Sequence, residues 1–214
     1  MLKNRLSEMG DHHPGQTQLA NSQIRGTLEQ THARVPGPTG QNAALGGGGA
    51  ALGANVVQFA RQRTGQKVGD GECFALADQA LRSAGAKSAA DFGAITPNGD
   101  YKWSSQQVSP TDAKPGDIIQ FRNFRVVIKT VHADGSWEER SEERPHHTAV
   151  VVSNDGSGNL TVLEQNVSIG GSAGQAQKTV RQNKIVTTAG SHKAGADNVT
   201  VTVTGRIVVY RPVT

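Results

Sequence analysis

The chain is poor in three features, and each shortage excludes a class of protein. One cysteine in 214 residues leaves no pair for an internal disulfide, so the chain is not a disulfide-stapled secreted scaffold. Aromatic residues make up 4% of the sequence, too few for a platform on which nucleic-acid bases stack, and the net charge of +4 is scattered along the chain. No apolar run is long enough to span a bilayer. We therefore expect no nucleic-acid partner and no membrane span.

The first residues also lack the pattern of an export signal. Lys3 and Arg5 are basic, but no apolar segment follows them. The expected location is therefore the cytoplasm, although export by a dedicated machine would leave no mark in the sequence.

Residues 1–53 differ in composition from the rest of the chain. They are rich in Gln, Thr, Gly, Pro and His, contain almost no large apolar residues in periodic order, and end in a glycine run. Such a segment cannot bury enough surface to offset its ordering entropy. We predict a disordered tail with a Gly-rich linker over 1–53 and one folded domain over 54–214.

The periodicity of the domain changes along its length. An apolar stripe predicts a short helix from Ala54 to near Gly65, and a second helix is predicted from Cys73 to about Ala84. Turn signals and runs rich in Val and Ile then predict strands over 118–121, 126–131, 147–152, 160–166, 184–188 and 199–210. Helices followed by hairpin-linked strands predict an α+β fold with N-terminal helices packed on an antiparallel sheet.

The single cysteine lies where a glycine-punctuated loop, Gly69-Asp70-Gly71-Glu72, enters the second helix. The N–H groups of a first helical turn are unpaired and partly positive, and they favour a thiolate. Cys73 is therefore a candidate nucleophile. Free cysteines are also among the most buried residue types, so simple packing remains an alternative.

A cysteine nucleophile needs a base and a group that orients the base. His147 begins a predicted strand and is the preferred base, with His146 as the rival on the opposite strand face. On the following strand, Glu164 and Asn166 share one face, and either could accept the imidazole N–H. No metal is predicted, since the histidines lack companion ligands at zinc spacing, and no other cofactor is predicted.

These motifs, taken in order, resemble the CHAP-type members of the NlpC/P60 papain-like superfamily. Within that group the chain is most similar to the cysteine-proteinase-fold domain of fungal myosin-tail-interacting adaptor proteins and of stand-alone bacterial chains. The resemblance covers residues 54–214 and is carried by Val68–Ala77, Pro115–Ile119, His146–Val151, Glu164–Asn166 and Tyr210–Val213.

The resemblance implies amide-bond hydrolysis through an acyl-enzyme. Cys73 would be the nucleophile, His147 the general base, and Glu164 with Asn166 the orienting groups. The substrate implied is an amide in a peptide, a protein or a peptidoglycan-like polymer. A non-catalytic papain-like module that binds peptides or proteins is the alternative.

The chain departs from the CHAP pattern at one site position. Glu72 precedes the cysteine where CHAP enzymes commonly carry Gln, and a carboxylate cannot donate a hydrogen bond to an oxyanion. Gln66 is the substitute candidate for that role. Trp103 is a candidate for the wall of a substrate groove, and a place in the core is the equal alternative.

Overall fold

A computed structural model describes residues 48–96, 99–168 and 176–214. The predicted tail therefore lies outside the described residues as far as residue 47. Two helices precede the main strands: α1 (Gly48–Arg61) and α2 (Cys73–Ser83). The strands are β1 (Gln106–Val108), β2 (Ile118–Val131), β3 (Trp137–Asn154), β4 (Asn159–Glu164), β5 (Arg181–Val186), β6 (Gly190–Ala194) and β7 (Asp197–Arg211).

The first helix begins earlier than its sequence predicts. We expected a linker up to residue 53, but α1 starts inside the glycine run at Gly48. One of these glycines has a packing role. A Cβ atom on Gly53 would lie 2.3 Å from the carbonyl oxygen of Pro115, so only glycine lets the helix approach the turn before β2 this closely.

The strands form one antiparallel sheet in the order β1-β7-β2-β3-β4-β5, with β6 paired to β7. Side-chain alternation gives the sheet two apolar faces. One face, including Ile118 and Val150, packs against α1 and α2. The other, including Ile119 and Val151, forms a second core. The α+β prediction is confirmed, since two helices pack on an antiparallel sheet.

The sheet is built from longer strands than predicted. β2 and β3 pair from Ile118↔Val150 to Val131↔Trp137, so segments expected as separate short strands are continuous. Two of the long strands, β2 and β7, are irregular where they lie next to each other. Asn123 in β2 and Gly205 in β7 both have positive φ, and a Cβ atom on Gly205 would lie 2.1 Å from the Asn123 carbonyl oxygen.

A buried neutral cluster lies on the helix-facing side of β2 and β3, and we call it the Gln120 cluster. Its members are Trp103, Gln120 and Thr148. The Gln120 Oε1 atom accepts hydrogen bonds from Trp103 Nε1 at 3.1 Å and from Thr148 Oγ1 at 2.8 Å. Trp103 is 0% exposed, so its assignment to a substrate groove is wrong and the core alternative holds.

Neither helix in the described part of the chain has the length and apolarity needed to cross a membrane.

Candidate active site

Cys73 is the first residue of α2 and is half-buried. The residue before it, Glu72, has extended backbone angles, and its side chain makes no capping hydrogen bond. The first-turn N–H groups therefore have no side-chain cap. A partly accessible sulfur atom next to uncapped N–H groups suits a nucleophile whose reaction builds negative charge.

His147 lies on β3 and is 4% exposed. Its Nε2 atom is 2.8 Å from Glu164 Oε2, and the Cys73 side chain is the second group that acts on the ring. Burial opposes a charge on the ring. The hydrogen bonds with Cys73 and Glu164 and the charges of both groups outweigh burial, and they raise the pKa of His147 to about 9. The ring is therefore protonated at neutral pH, and its Nε2–H donates to Glu164.

Glu164 ends β4 and is 0% exposed. Besides His147, its carboxylate accepts hydrogen bonds from Arg144 Nη2 at 2.8 Å, from Arg144 Nε at 3.2 Å and from Asn183 Nδ2 at 2.6 Å. Burial alone would raise the pKa of this carboxyl, but the bond and charge of His147 and those of Arg144 lower it to about 2. Glu164 is an ionised, fully bonded group that fixes the orientation of the imidazole.

We call Cys73, His147, Glu164 and Arg144 the Cys73 cluster. Sequence reasoning missed Arg144, because strict alternation puts residues 144 and 147 of one strand on opposite faces. The structure breaks that alternation, since the β2–β3 ladder contains no pair between Asn123 and Pro145. Asn123 has φ +50, and proline has no N–H to donate. The Pro145 next to Arg144 was the available signal of such an irregularity.

The prediction for Asn166 rested on a strand that reached residue 166, and that strand is shorter. β4 ends at Glu164, and Asn166 has φ +62, outside any strand geometry. Its side chain does not join Glu164 on one strand face. Instead, Asn166 Nδ2 donates to Glu72 Oε2, and Lys178 forms an ion pair with the other oxygen of Glu72. The carboxylate beside the nucleophile therefore has a cationic partner.

Gln165 connects the C-terminal end of β4 to the loop that precedes Cys73. Its side chain is 0% exposed. Gln165 Oε1 accepts from Val68 N–H at 3.1 Å, and Gln165 Nε2 donates to the carbonyl oxygens of Val68 and Glu72 at 2.9 and 2.7 Å. One buried carboxamide thus fixes both ends of the loop that delivers Cys73. The sequence signal was its place between Glu164 and Asn166, but a polar residue at a strand end has no unique interpretation.

Two further candidates lie apart from the Cys73 cluster. The side chain of Gln66 is exposed and makes no hydrogen bond with the described residues, while its backbone bonds Arg63 and Val180. His146 packs its ring 5.2 Å from that of Tyr101. Burial, followed by the charge of Arg122, lowers the pKa of His146. The structure therefore brings together Cys73, His147 and Glu164, and not Gln66 or His146.

A large groove lies next to two of the residues that bond the Glu164 carboxylate. It has a volume of about 1460 Å³ and runs between the β2–β3 hairpin and the β4–β5 hairpin. Arg144 and Asn183, which both bond Glu164, are among the residues lining it, whereas Cys73 and His147 are not. The groove thus reaches the Cys73 cluster at Arg144.

Comparison with known proteins agrees with this architecture. The family model of the AIM3/BBC1 cysteine proteinase-fold domain matches residues 29–214, beginning upstream of the domain start that we predicted at residue 54. No curated protein and no solved structure matches the chain. The resemblance to the cysteine-proteinase-fold domain is confirmed, and the chain belongs to the AIM3/BBC1 cysteine proteinase-fold domain family.

Proposed function

We propose that the chain is a thiol-dependent amide hydrolase in which Cys73 attacks an acyl carbon. The observation that carries this proposal is that buried His147, which bonds Glu164 at 2.8 Å, also interacts with the half-buried Cys73. A nucleophile, a base and an orienting group in one hydrogen-bonded sequence are what cysteine-mediated acyl transfer requires. The substrate class is an amide in a peptide, protein or peptidoglycan-like polymer, as the family resemblance implies.

The charges of the Cys73 cluster support this assignment. At neutral pH, Arg144 and protonated His147 carry two positive charges, and Glu164 carries one negative charge. Glu142 adds a second negative charge 3.8 Å from Arg144 Nη2. A thiolate that forms at Cys73 during the reaction is stabilised by the His147 imidazolium beside it, at the start of α2.

The proposed reaction follows from that pair. The sulfur of Cys73 adds to the carbonyl carbon, and the carbonyl π electrons move to the oxygen. When the tetrahedral intermediate collapses, the C–N bond breaks, and the leaving amine takes a proton from the His147 imidazolium. His147, now neutral, removes a proton from water, which adds to the thioester and releases the acid and the thiolate. Glu164 stays ionised throughout and holds the ring.

The test is the rate at which iodoacetamide alkylates Cys73 between about pH 6 and 7, where an ordinary thiol of pKa ~8.5 is mostly protonated. We expect rapid labelling of the native chain, and labelling at least about tenfold slower in His147→Ala because the imidazolium is gone. His146→Ala is the matched control, and it should label within about twofold of the native rate, since His146 is outside the Cys73 cluster. A native Cys73 that reacts like a free thiol would overturn the proposal.

A second candidate is a non-catalytic module that binds a peptide or protein. The observation that favours it is the groove between the β2–β3 and β4–β5 hairpins, whose lining residues do not include Cys73. This candidate predicts stable, stoichiometric capture of a peptide by the native chain and by Cys73→Ser alike. Turnover of an amide that disappears in Cys73→Ser contradicts it.

A further inference from the structure

Tyr101 lies beside the two residues that adjoin the proposed nucleophile and base. Its ring centroid is 4.9 Å from that of Phe74, the residue after Cys73. It is also 5.2 Å from the ring of His146, the residue before His147. One side chain therefore contacts both the helix that carries the sulfur and the strand that carries the imidazole.

The backbone next to Tyr101 is held in place by ion pairs. Asp100 pairs with Arg122 at 2.6 Å and with Arg206 at 3.3 Å, which ties this segment to β2 and β7. Trp103, two residues further, is fully buried and packs 5.8 Å from the Tyr101 ring. The tyrosine is thus positioned by fixed neighbours on both sides, as a preorganised donor has to be.

The hydroxyl group of Tyr101 has no hydrogen-bond partner within the described residues, although its side chain is half-buried. Burial raises the pKa of Tyr101, and the charge of Cys73 raises it further. A phenol that remains protonated is a hydrogen-bond donor. Tyr101 is therefore a second candidate for the role that Gln66 was expected to fill.

We propose that the Tyr101 hydroxyl donates a hydrogen bond to the oxyanion formed when Cys73 attacks an acyl carbon, together with the first-turn N–H groups of α2. The inference rests on the proposed hydrolase function and extends it, because it assigns a catalytic residue from outside the Cys73 cluster. In the step concerned, the S–C bond forms, the carbonyl π electrons move to oxygen, and the phenol stabilises that oxygen without losing its proton. Collapse of the intermediate restores the carbonyl group and expels the leaving group.

Two electrophiles that react with the same sulfur distinguish stabilisation of the oxyanion from an effect on the thiolate. p-Nitrophenyl acetate acylates Cys73 through a tetrahedral oxyanion and releases p-nitrophenolate, whereas iodoacetamide loses iodide in a displacement that forms no oxyanion. In Tyr101→Phe we expect the acylation rate to fall at least about tenfold, since removal of one oxyanion donor costs ~10²–10³ in rate. The iodoacetamide rate should stay within about twofold, which also reports an intact fold.

The matched control is Tyr210→Phe, because Tyr210 is the other tyrosine of the chain and lies in the helix-facing core. Both of its rates should remain native. An acylation rate in Tyr101→Phe that stays native, or falls in parallel with the iodoacetamide rate, overturns the oxyanion role alone. A native chain that reacts with neither reagent overturns the hydrolase function and this inference together.

Discussion

His147 and Thr148 are neighbours on β3, yet they belong to different buried groups. Thr148 joins the neutral Gln120 cluster, in which an amide oxygen accepts from a hydroxyl and an indole. His147 joins the Cys73 cluster, in which an imidazole and a carboxylate have pKa values moved to about 9 and about 2. Except for half-buried Cys73, the members of both clusters are buried. The clusters therefore differ in charge: His147 and Glu164 shift each other's pKa values, whereas the Gln120 cluster is neutral. Groups with strongly shifted, coupled pKa values mark candidate functional sites.

Removal of Arg144 should have the largest effect on the Cys73 cluster. We expect Arg144→Met to lower the free energy of unfolding by about 3–5 kcal/mol, because it leaves the Glu164 carboxylate buried with one cation fewer. Urea unfolding followed by circular dichroism measures this change. Iodoacetamide labelling of Cys73 should slow as well, since Glu164 then orients His147 less firmly.

A double variant distinguishes charge imbalance from lost packing. In Arg144→Met/Glu164→Leu the paired charges of Arg144 and Glu164 are removed together, so most of the lost stability should return, while rapid labelling should not. Equal stability of the single and double variants would mean that Arg144 contributes packing rather than charge balance.

The pH dependence of stability sharpens the contrast, because only the Cys73 cluster titrates. The pKa of His147 rises from 6.5 to about 9 in the fold, so its stabilisation is complete below about pH 6.5 and is lost as the pH rises through 9. The pKa of Glu164 falls from 4.5 to about 2, so its stabilisation is complete above about pH 4.5 and is lost as the pH falls through 2. We expect the free energy of unfolding to be highest between these limits and to fall as the pH rises through 9.

His147→Gln tests which residue causes the alkaline loss. Urea unfolding at pH 6 and 10 should show a much smaller difference in this variant than in the native chain. An unchanged difference would assign the alkaline loss to another group.

The sequence allowed much of the Cys73 cluster to be predicted, because two of its members depend on local pattern. The glycine-punctuated loop and the apolar spacing after it predicted a helix that begins at Cys73, and α2 does begin there. Alternation along two short strand segments placed His147 and Glu164 on faces from which they could meet. Both residues lie within strands of the structure, His147 on β3 and Glu164 at the end of β4.

The remaining positions depended on backbone irregularities and on contacts between distant segments. Arg144 reaches Glu164 across the irregular stretch at Asn123 and Pro145, and no period of two describes that stretch. Asn166 left the predicted face because a positive φ ends the strand before it. Trp103 is a core residue because the amide of Gln120, 17 residues away, accepts its indole N–H. Composition alone does not distinguish such a tryptophan from one in a groove.

The smallest expected effect comes from the neutral cluster itself. Gln120→Leu should lower the free energy of unfolding by about 1–3 kcal/mol, because the indole N–H of Trp103 and the hydroxyl of Thr148 lose their shared acceptor in a buried setting. It should leave the iodoacetamide rate and the alkaline loss of stability at native values, since no member of this cluster titrates between about pH 6 and 10. Urea unfolding at both pH values, with labelling on the same samples, measures all three quantities. If Gln120→Leu slows the labelling of Cys73 as much as Arg144→Met does, the two clusters act as one unit, and buried charge no longer distinguishes the site from its surroundings.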